Sequence, residues 1–341
     1  MATTVNPFPD HMDPVLNLLK EQPRENWQWD FQPDANGLNK INALALGNAA
    51  LLTYSNQAGV QRFLQQWRFS AVELLRGFHT QGFVARQDDT LIVAFRGTEP
   101  INADDWLSDV NYHQRPLLPT VPGLVHGGFA RAMEEVLQPL GAAVEKLSQG
   151  KASRLFVTGH SLGGALAILC AAVLQFHWSR EVTAVYTYGQ PRVGDATFSD
   201  AFDGKLGTVT FRYVNDRDIV PHLPPVRLPN VPTLRLPSSL VDFLKTIKHT
   251  PLEVQNALSA IVRGERFAHV GRLQLFLPDG TVTDDERLWQ QRELIYSGTL
   301  EELFRDGPTL LRARLGQVLL EDKRLFDHDP LNGYLPNLER L

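Results

Sequence analysis

Apolar and polar residues recur along this chain with two periods, and each change of period marks a change of element. From Ala43 to Trp67 the positions Leu44, Leu51, Leu52, Val60 and Phe63 fall at helical spacing, which predicts one amphipathic helix. Gly82 to Ala85 and Leu91 to Phe95 read as two strands joined by a turn at Asp88-Asp89. Gly127 to Leu147 returns to helical spacing, with Phe129, Met133, Val136, Leu137, Leu140 and Val144 on one face. Short strand-like runs follow at Arg154 to Thr158, Thr183 to Tyr188, Val209 to Val214 and Arg272 to Phe276, the last closed by the turn Pro278-Asp279-Gly280. A small-residue helical stretch, Gly164 to Leu174, separates the first two of these.

Strands alternating with helices predict an α/β fold, a mostly parallel central sheet flanked by helices. Residues 1 to about 40 are polar, with Pro, Asn, Gln and Trp, and are expected to wrap the surface. Pro221 to Pro237 is proline-rich and reads as loop. Two helical insertions are expected, amphipathic over 238–263 and charged over 284–320. There is no internal repeat, so one domain over 1–341 is the economical reading.

Composition narrows the chemistry. With 341 residues, 43% of them hydrophobic and 21% charged, a sizeable core can form. The net charge of −5 gives no electrostatic reason to expect nucleic acid as a partner. The single cysteine, Cys170, rules out an intrachain disulfide and reads as a core residue. No metal-ligand spacing occurs, and neither G-x-G-x-x-G after an early strand nor G-x-x-x-x-G-K is present, so no metal or nucleotide cofactor is expected. The segment Met1 to Asp13 lacks the pattern of a Sec-type leader, and the longest apolar run, Ala165 to Leu174, is too short to span a bilayer. The compartment stays open on this reading, with the cytoplasm favoured.

The most informative segment is Gly159-His160-Ser161-Leu162-Gly163, between a predicted strand and a predicted helix. A serine at the tip of a strand–turn–helix bend exposes its hydroxyl, and the flanking glycines relieve backbone clashes. Acyl transfer by such a serine also needs a base, a group to orient the base, and donors for an oxyanion. Partners are expected in loops after later strands, in the order Ser, Asp, His. Asp216 and Asp218, both just after Val209 to Val214, compete as the acid. Of the ten histidines, His269 and His328 are the candidate bases, and topology favours His328, which lies beyond the last predicted strand. His160 is expected to point away from the serine, and His222 to line the Asp218 loop. One oxyanion donor is expected from the N–H of Leu162. The second is expected from Phe95-Arg96-Gly97-Thr98 at a strand end, in preference to His126-Gly127-Gly128, which opens a helix.

Several motifs, in order, carry a resemblance to a known family: Ala94-Phe95-Arg96-Gly97-Thr98, Asp105-Trp106-Leu107-Ser108-Asp109, Val125 to Phe129, the Ser161 elbow, Tyr188 to Asp195, Asn215 to Pro225, His269-Val270-Gly271, and Asp327-His328 with Tyr334. Over roughly Leu91 to Leu335 the chain resembles the lipase class 3 family, the fungal-lipase-like α/β-hydrolases. The resemblance implies a triad of Ser161, Asp218 and His328, oxyanion donors at Thr98 and Leu162, and a structural His269. It also implies a lid over about 99–119, in which Trp106, Leu107 and Val110 form an apolar face. The substrate would be a lipid or other carboxylic ester met at a lipid–water interface, with no cofactor. A phospholipase A1, a broad carboxylesterase and a non-catalytic scaffold are the rival readings. The chain departs from the family in the long separation of Asp218 from His328 and in lacking the fungal disulfides.

Overall fold

The computed structural model describes residues 27–35, 37–78, 80–97, 114–149, 154–224, 267–294 and 333–341. Thr98, Trp106, Leu107, Val110 and His328 lie outside the described residues, as do the 238–263 insertion and residues 295–320 of the second.

Two helices open the described chain, α1 (Lys40–Leu52) and α2 (Gln57–Gln66). The single helix expected over Ala43 to Trp67 is therefore broken. The cause is a second helix start. Asn56 is extended and its side chain accepts the Gly59 N–H at 2.9 Å, which caps a new helix in place of continuing the old one. The segment before α1 also departs from expectation: Trp27 is buried in the core and Trp29 stacks on Trp67 at 5.0 Å. A tryptophan removed from water contributes more by burial than a polar strand of chain loses there.

The sheet begins with β1 (Ala71–Arg76), which the sequence reading missed, then β2 (Gln81–Gln87) and β3 (Thr90–Phe95). A two-residue pair, β4 (Gln114–Arg115) and β5 (Val125–His126), leads into α3 (Gly127–Ser148). Next come β6 (Arg154–His160), α4 (Leu162–Ala172), β7 (Ala184–Tyr188), α5 (Ala196–Leu206) and β8 (Thr210–Asn215). The described part closes with β9 (Arg272–Phe276), β10 (Val282–Thr283), a helix α6 over 286–294, and the short α7 (Leu335–Leu338). Arg272 to Phe276 is thus not the last strand. Val282 and Thr283 fold back antiparallel on it across the Gly280 turn.

The eight strands lie in the order β1-β2-β3-β6-β7-β8-β9-β10, with β3, β6, β7, β8 and β9 parallel and the outer strands antiparallel. Alternation along each strand divides the core in two. Val157 and Val185 face α3, α4 and α5, whereas Phe156, Tyr186 and Tyr213 face α1, α2 and α7. All eleven residues of α4 are buried. With both faces covered, the parallel strands bury every residue of β3 and β7, which explains their continuous apolar runs.

Only 114–119 of the segment expected as a lid is described. There Gln114 and Arg115 pair with His126 and Val125, and Leu117 is buried against the α3 side of the core.

Candidate active site

Ser161 stands between the end of β6 and the start of α4 with φ 58° and ψ −129°, a region L-residues seldom adopt. The surrounding packing over-determines that conformation. Its N–H donates to the Tyr188 carbonyl at 2.9 Å, anchoring the bend to β7. A Cβ added to Gly159 would lie 2.1 Å from the Gly163 oxygen, and one added to Gly163 would lie 2.3 Å from the Phe95 oxygen. Strand β6 and helix α4 thus cross at a distance only glycine permits. The Phe95–Gly97 segment at the end of β3 runs beside this crossing, and a Cβ on Gly97 would sit 3.1 Å from that of Ser161. Leu162 opens α4, so its N–H has no acceptor within the helix and is free to face an anion.

Two strands away, at the same end of the parallel sheet, β8 delivers the competing carboxylates. The structure separates them. Asp216 pairs with Arg292, Nε to Oδ1 at 2.7 Å. Asp218 is fully buried; Oδ1 accepts the Val220 N–H at 2.9 Å and Oδ2 accepts the Tyr334 hydroxyl at 2.6 Å. Tyr334 also accepts the Asn215 N–H at 3.1 Å, so one phenol ties both ends of the turn. Its ring lies 5.7 Å from that of His160, next to the elbow. Sequence reasoning gave Tyr334 no role, because its partner is 116 residues away and nothing local marks the pairing.

The histidines sort by their partners. His160 is buried, with Nδ1 2.9 Å from the Tyr54 hydroxyl. His126 caps α3, its Nδ1 accepting the Gly128 and Phe129 N–H groups at 3.2 and 3.4 Å, so those donors serve the helix and not a substrate oxygen. Burial, reinforced by the Arg131 charge, lowers its pKa to about 3 and keeps the ring neutral. His269 donates from Nε2 to the Pro221 carbonyl at 2.7 Å and meets Trp289 edge-on. His222 stacks on Trp289 at 4.3 Å. Burial first, then neighbouring arginines, push both imidazoles well below 6.5. Cys170 is buried in α4, and burial raises its thiol pKa.

Residues 92–228 match the model of the family described as Lipase (class 3). A lipase of Rhizomucor miehei is 40% identical over 154 residues, which cover 43% of this chain and 42% of the relative. A triacylglycerol lipase of Arabidopsis thaliana is 30% identical over 281 residues, covering 62% and 52%. The chain spans about half the length of these relatives. Among solved structures, a deletion mutant of the Rhizomucor miehei lipase–propeptide complex aligns at 26% identity with a TM-score of 0.50, covering 73% of each chain. The native complex aligns at 24% identity with the same TM-score and speaks to the fold alone, which is the α/β-hydrolase fold. The matched stretch runs from β3 through the Asp218 loop and includes every strand that frames the elbow, and over these residues the chain is similar to the lipase class 3 family.

Proposed function

We propose that this chain is a serine carboxylic-ester hydrolase acting on acylglycerol esters. The observation that carries the reading is Ser161 held at φ 58° at the end of β6, with a buried Asp218 that accepts from the Val220 N–H and the Tyr334 hydroxyl at the same end of the sheet. Relatives named as lipases support the substrate class.

In this reading Ser161 Oγ attacks the ester carbonyl while His328 takes its proton. Asp218 orients that imidazole and stabilises its charged form. The N–H groups of Leu162 and Thr98 hold the oxyanion, His328 returns the proton to the departing alcohol, and water cleaves the acyl-enzyme by the same route. The chemistry needs no metal or organic cofactor. His269 is assigned to loop support, since its Nε2–H is occupied by Pro221. General base catalysis supplies roughly 10²–10⁴-fold and each oxyanion donor about 10²–10³-fold.

A fluorophosphonate should label the wild-type chain and not Ser161→Ala; equal labelling of both would end the assignment. Rates across p-nitrophenyl esters of rising length, beside a triglyceride and a phospholipid, then separate lipase from esterase and phospholipase A1. The segment 99–119, with Trp106, Leu107 and Val110, is proposed as a lid. Long-chain ester hydrolysis should rise steeply once substrate forms droplets or micelles, and smooth saturation through that threshold would remove the lid.

A further inference from the structure

Below the loop that bears Asp218 lies a buried cluster of charge for which the proposed chemistry has no use. Arg192 and Arg212 are each 2% exposed. Arg192 Nη1 donates to the His222 and Pro224 carbonyls at 2.6 and 2.8 Å, and its own N–H donates to the Leu223 carbonyl at 2.7 Å. The other arm of its guanidinium pairs with Glu293 of α6. Arg212, from β8, lies over the Trp289 ring at 5.2 Å and 4.0 Å from Glu286, both also on α6. Trp289 itself stacks on His222, and Arg292 holds Asp216.

One short helix therefore grips the acid loop on both sides of Asp218, directly at Asp216 before it and His222 after it, and through Arg192 at Pro224. The helix lies outside the 92–228 stretch that matches the family. We propose that α6, through Trp289, Arg292 and Glu293, is a positioning element for Asp218, fixing the carboxylate so that acyl transfer, and not substrate binding, depends on it. The inference rests on the serine-hydrolase reading above.

The physical reason is the cost of an unbalanced buried charge. Burial, then the Arg212 charge, pulls the Arg192 pKa down to about 9. The pairing with Glu293 offsets that penalty, and removing it leaves a guanidinium whose remaining partners among the described residues are the carbonyls of the loop itself. The loop then shifts to solvate the charge, and a displacement of about 1 Å at a catalytic group can cost on the order of 10²-fold in rate.

The test uses the full chain carrying Glu293→Gln, Glu293→Asp or Arg292→Gln. Glu73→Gln, in an exposed pair with Lys146 between β1 and α3, serves as control. On a soluble short-chain ester, Glu293→Gln should lower kcat and the fluorophosphonate labelling rate about tenfold or more, with KM changed less than about twofold. Glu293→Asp, which keeps the anion, should recover part of the loss. Arg292→Gln should cost a few-fold, and the control nothing. Should Glu293→Gln fail to fold, the partly exposed Arg292 carries the test. Unchanged kcat in both neutral variants, or a rise in KM alone, overturns the positioning role while leaving the hydrolase intact. A wild-type chain that resists labelling, or labels without Ser161, overturns the hydrolase reading and this inference with it.

Discussion

The bend at Ser161 and the loop at Asp218 occupy the same end of the sheet, two strands apart, yet they are held by different means. The bend is fixed by its own backbone. Gly159 and Gly163 approach within distances no side chain tolerates, and a hydrogen bond to β7 completes it. The Asp218 loop is fixed by side chains from remote parts of the chain: Tyr334, Arg192, Trp289 and Arg292. Close-packed backbone should fail all at once when disturbed, whereas a loop held by several polar contacts should weaken by degrees.

Removing chemistry from each side gives the largest effects. Ser161→Ala should lose at least about 10⁴ in kcat with the fold retained by circular dichroism. Asp218→Asn, which keeps the shape but not the charge, should lose about 10³–10⁴. Near-wild-type turnover in the asparagine variant would shift the acid role elsewhere. Disturbing the supports comes next. Gly163→Ala should cost about 3 kcal/mol or more of stability and abolish activity together, since its Cβ meets the Phe95 backbone and not a side chain that can turn aside. A soluble, active alanine variant would show that the bend has slack. Tyr334→Phe removes one donor to Asp218, and a hydrogen bond to a charged group is worth about 1.5–3 kcal/mol. Its stability should fall by that order, read as a shift in denaturation midpoint, with activity reduced but measurable.

The smallest and most selective probe is pH. Under the Asp218 loop, His222 and His269 are kept neutral well below the ordinary 6.5 by burial and by Arg192 and Arg212, with Arg292 adding to His222. Below pH 6.5 the unfolded chain therefore takes up protons the folded chain refuses. Their contribution to stability is present above 6.5 and is lost as pH falls, at up to about 1.4 kcal/mol per pH unit for each group. Hydrogen exchange at pH 7.5 and 5.5 should show the amides of residues 218–224 losing protection before those of 159–165. Loss in the reverse order would contradict the contrast between the two loops.

The same contrast separates what was legible in the sequence from what was not. The elbow could be read because its determinants are contiguous: an apolar strand, glycines two residues either side of a serine, and a small-residue helix. Sterics within seven residues decide that geometry, and no distant partner is needed to name it. The strand–helix alternation was legible for a similar reason, since burial on both faces writes itself as unbroken apolar runs. By contrast, β1 was missed because its half-exposed residues carry no such run. The break between α1 and α2 depends on one capping side chain.

Near Asp218 the sequence offered two carboxylates and no means of choosing between them except family likeness. Tertiary structure separates them, one to an arginine of α6 and the other to a tyrosine far along the chain. Likewise His269 stood in the sequence as a candidate base beside His328, and only the tertiary structure ties its ring to the Pro221 carbonyl. A hydrogen bond between side chains has direction and reach but no sequence period. The amino-acid order could therefore determine the sheet and the serine's bend, whereas the buried charges packed under the Asp218 loop were decided only when the chain closed around them.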